Sequence, residues 1–363
     1  MPKNYINFLQ YIFIITGSQL GIGLLQLPRL LAKRAGTDGW ILLITGWILS
    51  TLSSLIIIQI MKITDKTLFQ ILVSYLGRWI GNFFILFICL YFSFFSFLIL
   101  QRSIFFIKMC LIPETADYIL MFLFSIPIYI IVQNGIPTIG RYAKLIFPIN
   151  IGLFFFYGVA LKEHHNWQHL LPLFNNVTSA LRNTPNVLES FLGFEVAFFI
   201  YPNLKKKQFA SLGIIIANTL TLAVCLVITL SCSLFFSPDE ILQYNEPTLS
   251  MLKVLEFPFL EHVELYSFAL FIFILSTTWM THIYCAIYSI NNLLPKKNTS
   301  RLLCLLLFSF TIIMYSLPST INQINILQKM GLYVGIFFSY IAPLLLWVYI
   351  KGYKIFSRED DIQ

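Results

Sequence analysis

The sequence predicts an all-α integral membrane protein of ten transmembrane helices, of which the first and the sixth are broken. Three observations support this prediction. Of the 363 residues, 58% are hydrophobic and only 11% are charged, and the mean hydropathy is +0.80. The apolar residues fall into about ten runs, most of them close to the roughly 20 residues that cross a bilayer as a helix. Small residues interrupt two of these runs at corresponding places in the two halves of the chain.

The ten runs follow one another without a long polar insertion. They comprise residues 7–31, 39–61, 80–108, 116–132, 144–161, 187–202, 210–236, 262–290, 301–318 and 331–350. We expect one transmembrane domain over 1–363, with a first repeat of about 7–161 and a second of about 187–350. The connections 162–186 and 237–261 are expected on the outer side. The first run leads into a charged segment, so no cleavable signal peptide is expected. The longest connections are about 25 residues, so no soluble domain is expected either.

Lysine and arginine are unevenly divided between the two sides of this topology. With the N-terminus inside, the cytoplasmic segments hold 15 of the 24 Lys and Arg residues, and the outer segments hold nine. Most acidic residues lie on the outer side. By the positive-inside rule, both termini are expected in the cytoplasm. The formal net charge of +8 is therefore interpreted as an orientation signal, and no nucleic-acid partner is expected.

The sequence has no recognisable catalytic or cofactor motif. It lacks a Ser/His/Asp arrangement, a paired-carboxylate site, a Walker-type loop and a dinucleotide fingerprint, so neither an enzyme nor a cofactor is expected. The six cysteines lack a C-x-x-C pair and are interpreted as small apolar side chains. His164, His165 and His169 could place two imidazoles on one helical face. Without a second ligand cluster, they are interpreted as a solvated connection rather than a metal site.

The first interrupted run reads ITGSQLGIGLLQLP and covers residues 15–28. Four small residues fall within seven positions near its middle: Gly17, Ser18, Gly21 and Gly23. Glycine costs about 1 kcal/mol per helix position relative to alanine, and unwound backbone at membrane depth must face protein or a water-filled cavity. A half-helix beginning near Ile22 would offer free N–H groups and a positive dipole end to a carboxylate. The alternative is that Gly17 and Gly21 only allow close helix packing.

The second interrupted run, SFLGFEVAFFIYP, covers residues 190–202 and carries Glu195 in its middle. An ionisable residue at that depth usually faces a cavity, a partner or a proton pathway. Glu195, next to Gly193 and Phe194, could balance a substrate ammonium group, pair with a basic side chain, or stay protonated as a hydrogen-bond donor. The alternative is a neutral carboxyl bonded to a neighbouring helix. Two broken helices at matching positions are typical of a midplane substrate site in an inverted-repeat carrier fold.

Further walls of such a site are expected from the third and the eighth run. Tyr91 lies on the third run, and Thr277, Thr281 and Tyr284 lie on the eighth. The other members of the predicted ligand-binding set come from the two interrupted runs: Gly17, Ser18, Gly21, Ile22, Gly23, Gly193, Phe194 and Glu195.

Two segments resemble the spore germination permeases, which are the GerAB-type B subunits of nutrient germinant receptors. GSQLGIGLLQLPRLLAKRAGTDGW (17–40) resembles the first span and following loop of that family, and SFLGFEVAFFIYPNLKKKQ (190–208) resembles its sixth span and basic inner loop. The resemblance implies the LeuT-like fold of the amino acid–polyamine–organocation superfamily, with two inverted repeats of five helices. It also implies that Gly21, Ile22 and Gly23 match the unwound part of span one. Likewise, Gly193 and Glu195 match the G-x-E of span six.

The resemblance further implies a biological role. Members of the family lie in the spore inner membrane beside a larger A subunit and a lipoprotein C subunit, and they recognise small germinants, commonly amino acids. The expected function is binding of such a germinant to trigger spore germination. The alternative is a proton- or cation-coupled amino acid permease, with Glu195 as the coupling site. A third possibility, a structural scaffold for the A subunit, would leave the broken helices without a use.

Overall fold

The computed structural model describes residues 5–21, 23–163, 165–175, 177–253, 263–294, 298–316 and 320–360. Ile22, His164 and the end of the expected outer loop 237–261 therefore lie outside the described residues. The α-helices of the described residues are α1 (Phe8–Gln19), α2 (Gly23–Ala35), α3 (Gly39–Thr64), α4 (Leu68–Leu76), α5 (Arg78–Cys110), α6 (Asp117–Val132), α7 (Ile136–Glu163), α8 (Val177–Arg182), α9 (Ala197–Ile200), α10 (Ala210–Phe235), α11 (Pro238–Gln243), α12 (Pro247–Leu252), α13 (Val263–Leu293), α14 (Thr299–Ser316), α15 (Ile321–Ile336) and α16 (Ala342–Asp360). A π-helix, Phe337–Ile341, joins α15 to α16.

The ten apolar runs all overlap helical segments, but not every run forms one crossing helix. Within the described residues, six helical segments are long and apolar enough to cross a membrane: Gly23–Thr64, Arg78–Cys110, Lys207–Phe235, Leu265–Leu293, Thr299–Ser316 and Ile321–Lys354. A bent pair, Asp117–Val132 with Ile136–Ile149, turns through 114° and gives a seventh if it counts as one span. The predicted count of ten is therefore not confirmed. The first run is divided between α1, which is too short to count, and α2, which belongs to the segment Gly23–Thr64. The sixth run forms only short helical pieces, and the fourth and fifth runs contribute to the bent pair.

The start of α1 is fixed by its own cap and by the end of the sixth run. Asn7 Oδ1 accepts a hydrogen bond from the N–H of Gln10 at 2.8 Å, and Gln10 Oε1 accepts one from the N–H of Asn7 at 2.9 Å. This reciprocal capping box begins the helix. The N–H of Ile6 donates to the carbonyl of Asn203 at 2.9 Å, and the N–H of Lys205 donates to the carbonyl of Ile6 at 3.2 Å. The entry of the first run and the exit of the sixth are thus joined by backbone hydrogen bonds.

The long helix α13 packs against α1, α5 and α7 in the middle of the protein. The buried apolar side chains form two clusters, and these clusters divide the first run between them. Tyr11, Ile14 and Ile15 of α1 belong to one cluster, whereas Leu24 and Leu25 of α2 belong to the other. Because lipid is as apolar as these side chains, close packing rather than exclusion of water holds each half in place. The break in the first run therefore lies where the two clusters meet.

The peripheral helices expose large apolar side chains. Leu305 and Phe308 of α14 are 64% and 62% exposed, and Leu345 and Val348 of α16 are 57% and 55% exposed. Cys304 on α14 is exposed as well, whereas Cys89, Cys225, Cys232 and Cys285 are buried; none of the six cysteines forms a disulfide. Apolar surface of this extent marks a face that contacts lipid or another protein rather than water.

Candidate functional site

The first run breaks between α1 and α2. Past Gln19 the N–H of Gly21 donates to the carbonyl of Gln19 at 2.9 Å, and the N–H of Leu24 donates to the carbonyl of Gly21 at 3.3 Å. In a continuous helix these two N–H groups would pair with the carbonyls of Gly17 and Leu20. Both carbonyls have therefore lost their helical donors. The break predicted from the glycine cluster is present at Leu20 and Gly21, after the end of α1 at Gln19 and before the start of α2 at Gly23.

Thr278 of α13 supplies a donor to these carbonyls. Its buried Oγ1 lies 2.7 Å from the carbonyl oxygen of Gly17 and 2.9 Å from that of Leu20. A hydroxyl group has one proton, so Thr278 donates to one of the two carbonyls at a time. A buried polar group without a partner costs about 1–3 kcal/mol. Thr278 therefore stabilises the unwound segment and connects it to α13.

The sixth run breaks at Gly193, between the 3₁₀ turns Leu188–Phe191 and Phe194–Val196. Gly193 has a φ of 116°, which glycine adopts at little cost and other residues avoid. A β-carbon at Gly193 would lie 2.2 Å from the carbonyl oxygen of Ser18. The two interrupted runs therefore meet at their breaks, backbone against backbone.

Glu195 bonds to both sides of the sixth break. Its Oε2 accepts a hydrogen bond from the N–H of Gly193 at 2.8 Å, and its Oε1 accepts one from the hydroxyl of Tyr91 on α5 at 2.6 Å. Glu195 is only 3% exposed. Among the described residues, no Lys or Arg lies within salt-bridge distance of its carboxylate. The carboxyl group acts as a hydrogen-bond acceptor that fixes the broken segment to α5.

A buried amide network holds the end of α1. Gln19 Nε2 donates to the carbonyl of Phe191 at 3.1 Å and to Asn218 Oδ1 at 2.7 Å, and Gln19 Oε1 accepts from Thr221 Oγ1 at 2.7 Å. Asn218 in turn donates to Ser54 Oγ at 2.9 Å. These bonds connect α1, the sixth run, α10 and α3. The amide of Gln19 thus positions both breaks relative to the surrounding helices.

A cavity of about 70 Å³ lies beside the two breaks, and we call it the central cavity. Gly21 and Gly23 of the first run line it. Its polar side chains are Ser18, Gln19, Arg102, Glu189, Thr278 and Gln328. Its apolar side chains are Phe95, Leu98, Ile99, Leu192, Ile324 and Leu332. The cavity therefore combines exposed backbone, one basic and one acidic side chain, and an aliphatic wall from α5 and α15.

Arg102 lines the central cavity and also bonds to Glu246 in the loop between α11 and α12. Its Nη1 donates to Asn325 Oδ1 at 2.9 Å, and its Nη2 donates to Glu246 Oε1 at 3.2 Å. Gln26 Nε2 donates to the same oxygen of Glu246 at 2.7 Å. Burial raises the pKa of Glu246 to about 7, although the positive charge of Arg102 and these hydrogen bonds act in the opposite direction. The carboxyl group of Glu246 therefore titrates near neutral pH.

A second cavity, of about 440 Å³, lies among α4, α5, the sixth run, the π-helix and α16. We call it the apolar cavity. Tyr91 and Glu195 line it, with Tyr349 as the third residue that has a polar side-chain group. The rest of the lining is apolar, for example Phe199 and Phe338.

The predicted ligand-binding residues are thus divided between the two cavities. Ser18, Gly21 and Gly23 line the central cavity, whereas Tyr91 and Glu195 line the apolar cavity. Glu195 and the glycines of the first run therefore do not face one common space in the described residues.

Other members of the predicted set make packing contacts. A β-carbon at Gly17 would lie 2.4 Å from Thr277 Cγ2, so the close-packing alternative describes Gly17. At Gly21 the nearest atom to a β-carbon would be 4.0 Å away. Thr281 Oγ1 donates to the carbonyl of Thr277 at 2.7 Å. The rings of Phe194 and Tyr284 pack against Tyr340 and Tyr288, with centroids 5.3 Å and 5.9 Å apart.

Five residues at the breaks and the central cavity were not predicted as site residues: Gln19, Arg102, Glu189, Thr278 and Gln328. Arg102 lies toward the end of its apolar run, where a basic residue is expected as an interfacial anchor. Thr278 is the neighbour of the predicted Thr277, and adjacent helix residues point about 100° apart. Two of these residues could have been found from the sequence, because Gln19 and Glu189 are polar residues within apolar runs, where an unpaired polar group is costly.

The connection after α7 carries the histidines considered for metal binding. The ring of His165 packs edge-on against Trp167, with centroids 6.2 Å apart. Over the described residues, which exclude His164, no group of three or more His, Cys, Asp and Glu side chains could hold a metal ion.

The fold and the meeting of two broken segments define a LeuT-like membrane protein, and a solved structure has the same fold. The chain superimposes on MhsT in complex with L-phenylalanine with a TM-score of 0.65 and 15% sequence identity, covering 96% of this chain and 89% of MhsT. This likeness confirms the fold class expected from the resemblance. At this identity it concerns the fold alone.

Residues 5–324 match the family model described as "Spore germination protein", and the chain belongs to this spore germination permease family. Three relatives match along most of their length. Spore germination protein GerQB of Bacillus cereus is 25% identical over 355 residues, which is 95% of both chains. Spore germination protein B2 of Bacillus subtilis is 28% identical over 343 residues, 89% of both chains, and protein A2 of that species is 27% identical over 356 residues, 94% of both.

Proposed function

We propose that this chain is the B subunit of a spore nutrient germinant receptor and that it binds a small amino acid in the central cavity. The observation that carries the proposal is the contact between the two breaks, where Gly193 lies against the carbonyl of Ser18 and Gly21 and Gly23 line a cavity. Membership of the spore germination family supplies the biological setting.

The beginning of α2 suits the carboxylate of an amino acid. Gly23 is the first residue of α2 and lines the central cavity. The first turn of a helix has N–H groups without helical partners and a positive dipole end, and both favour an anion. Arg102 lines the same cavity and adds a positive charge, part of which the ion pair with Glu246 offsets.

The volume of the central cavity favours a small ligand. One water molecule needs about 10–15 Å³ of cavity volume. A cavity of about 70 Å³ therefore accepts about five to seven water-sized atoms. Alanine has six non-hydrogen atoms. The aliphatic wall formed by Leu98, Ile99 and Leu192 suits a short apolar side chain better than a charged one.

The proposal includes partners and a location. The chain acts in the spore inner membrane with both termini in the cytoplasm, together with a receptor A subunit and a lipoprotein C subunit. Binding of the germinant in the central cavity changes the contact between the two breaks, and this change passes to the partner subunits. The resemblance to B subunits of germinant receptors and the names of the relatives support this arrangement.

The test is a panel of radiolabelled amino acids, measured for binding to the purified receptor complex and for germination of spores that carry it. We expect one or a few small aliphatic amino acids to bind and to trigger germination in the same order of potency. Binding of none of the amino acids, with germination unchanged in spores that lack this chain, would exclude the proposal.

A proton- or cation-coupled amino acid permease is the second candidate. The observation in its favour is the buried carboxyl of Glu195, which lines the apolar cavity beside Tyr91. An ionisable group at membrane depth is expensive and often marks a proton pathway. Uptake measurements on Glu195 variants distinguish the two candidates, as described in the Discussion.

A further inference from the structure

Two side chains of opposite charge line the central cavity without bonding to each other. Arg102 projects from α5, and Glu189 lies in the 3₁₀ turn Leu188–Phe191 before the sixth break. The ion pair of Arg102 in the described residues is with Glu246, and Glu189 makes no ion pair there. The two charged side chains therefore line the central cavity from two different structural elements, α5 and the 3₁₀ turn Leu188–Phe191.

Arg102 keeps hydrogen-bonding capacity beyond its protein partners. A guanidinium group has five N–H donors. Among the described residues, the hydrogen bonds of Arg102 go from Nη1 to Asn325 and from Nη2 to Glu246. Its Nε is buried and has no hydrogen-bond partner, and Arg102 as a whole is only 3% exposed. A buried donor without a partner is costly unless a ligand or water completes it.

Glu189 also keeps hydrogen-bond acceptor capacity beyond its protein partner. Its Oε1 accepts one hydrogen bond, from Gln328 Nε2 at 3.0 Å. An ionised carboxylate has two oxygens and about four acceptor positions. Among the described residues this is the hydrogen bond that Glu189 makes, so its second oxygen can accept from a ligand.

We propose that an amino acid binds in the central cavity as a zwitterion, with its ammonium group at Glu189 and its carboxylate at Arg102. This inference rests on the function proposed above and assigns the charge recognition within that site. A ligand with only a carboxylate would leave Glu189 without a positive partner, and a ligand with only an ammonium group would leave the buried Nε of Arg102 without an acceptor. A zwitterion compensates both at once, and its carboxylate also approaches the start of α2 through Gly21 and Gly23.

The proposal moves the ammonium partner from Glu195 to Glu189. Both oxygens of Glu195 already accept hydrogen bonds, and Glu195 lines the apolar cavity instead. Glu189, six residues earlier, lines the cavity that also contains Ser18, Gly21 and Gly23. The acidic residue that recognises the ligand is therefore the one before the break, and the acidic residue after it fixes the backbone.

The first experiment compares ligands on the wild-type receptor complex by isothermal titration calorimetry. Each amino acid of the panel is measured beside the carboxylic acid and the amine that carry the same side chain, such as L-alanine beside propionate and ethylamine. We expect each single-charge analogue to bind at least about 10-fold more weakly than its amino acid, since a hydrogen bond to a charged group contributes about 1.5–3 kcal/mol. Equal affinity for propionate and alanine would overturn the role of Glu189.

The second experiment uses variants that keep the neutral hydrogen bonds. Glu189→Gln keeps an oxygen for Gln328, and we expect it to remove the advantage of the amino acid over the carboxylic acid. Arg102→Gln should remove the advantage over the amine, and Arg102→Lys should restore part of it. Glu240→Gln in α11, where the residue caps its own helix, is the matched control. It should change neither the affinity ratio of amino acid to carboxylic acid nor that of amino acid to amine.

The outcomes separate this inference from the proposed function. Amino acid binding that persists in Glu189→Gln, with unchanged preference over the carboxylic acid, overturns the inference and leaves the receptor proposal in place. Absence of amino acid binding to the wild-type complex overturns both. A loss of all binding in Arg102→Gln together with a lower thermal midpoint would indicate misfolding, and the analogue comparison on the wild type then decides the role of Arg102.

Discussion

Gly193 approaches Ser18 so closely that a β-carbon at Gly193 would lie 2.2 Å from the carbonyl oxygen of Ser18. This is the point at which the two interrupted runs touch. Glycine is required here for two separate reasons, since the φ of 116° disfavours other residues and the space for a side chain is absent. The contact fixes the relative position of both breaks and therefore the shape of the central cavity.

Gly193→Ala should separate the two breaks. The left-handed backbone alone costs a non-glycine residue about 1–2 kcal/mol, and the clash with Ser18 adds to it. We expect a lower thermal midpoint for the purified protein and loss of the germinant response. Gly152→Ala is the matched control, because a β-carbon there has no neighbour within 4 Å and alanine favours a helix interior. A wild-type midpoint and response in Gly193→Ala would contradict the contact.

Gly21→Val should abolish the ligand response while the protein still inserts and folds. A β-carbon at Gly21 has room, since its nearest neighbour would be the carbonyl oxygen of Gln19 at 4.0 Å, and Gly21 lines the central cavity. A β-branched side chain also resists the unwound conformation. Gly21→Ala should keep wild-type stability and raise the half-maximal germinant concentration. Normal sensitivity in both variants would return Gly21 to a packing role.

Thr278→Val should destabilise the break in the first run. Valine has the shape of threonine but no hydroxyl, so the carbonyls of Gly17 and Leu20 both lose their donor. We expect a loss of about 1–3 kcal/mol in the free energy of unfolding, measured by denaturation in detergent. Thr219→Val on α10 is the control, because the exposed Thr219 donates to the carbonyl of Ile215 in its own helix and bonds no other element among the described residues. Equal effects of the two substitutions would show that Thr278 has no special role.

Glu195→Gln distinguishes receptor from carrier. Glutamine has one acceptor oxygen, so one of the bonds from Gly193 and Tyr91 is lost. For a receptor, we expect a loss of about 1.5–3 kcal/mol in the free energy of unfolding, because Glu195 fixes the broken segment and does not line the central cavity. The companion measurement is amino acid uptake into proteoliposomes under a pH gradient. Concentrative uptake by the wild type that Glu195→Gln stops, with exchange retained, would favour the carrier.

The affinity for amino acids should fall as the pH rises through about 7. Glu246 is mostly neutral below its pKa of about 7 and ionised above it. Ionised Glu246 neutralises Arg102, so the carboxylate of the ligand meets less positive charge. We expect a fall in affinity of about fivefold between about pH 6 and 8, equivalent to about 1 kcal/mol. Glu246→Gln should remove this dependence, and a slope that survives in the variant would assign it to another group.

The same pKa determines the sign of a stability change. A carboxyl whose pKa is higher in the folded than in the unfolded protein favours folding in its protonated form. The contribution of Glu246 to the free energy of unfolding is therefore largest below its ordinary pKa of 4.5 and is lost as the pH rises to about 7. Calorimetry of Glu246→Gln against the wild type across this range measures that contribution.

The fold class and the two breaks could be predicted because their causes are local. Apolar run length reports membrane crossing, and three glycines in seven residues weaken a helix wherever the rest of the chain lies. The number of spans was less predictable. The turn between α6 and α7 contains Gly135 with a φ of 77°, and α7 begins at Ile136, eight residues before the predicted fifth run. Composition alone does not reveal that these helices bend by 114°.

The distribution of side chains between the two cavities could not be predicted. The sequence indicated a functional acidic residue at the sixth break, but Glu189 and Glu195 lie on opposite sides of the break at Gly193 and line different cavities. Thr277 and Thr278 differ in role for a similar reason, since the rotation of α13 about its axis is determined by packing against α1 and α5. Such choices depend on tertiary contacts that no single sequence displays.

The backbone hydrogen bonds between Ile6 and the chain at Asn203 and Lys205 have a mechanical consequence. They join the start of α1 to the end of the segment after Gly193. The contact between Ser18 and Gly193 joins the end of α1 to the start of that segment. Helix α1 and the segment after Gly193 are therefore held together at both ends. Neither can tilt without the other unless these bonds break. A movement of the two breaks would therefore move the ends of both pieces near Ile6 and Asn203 together.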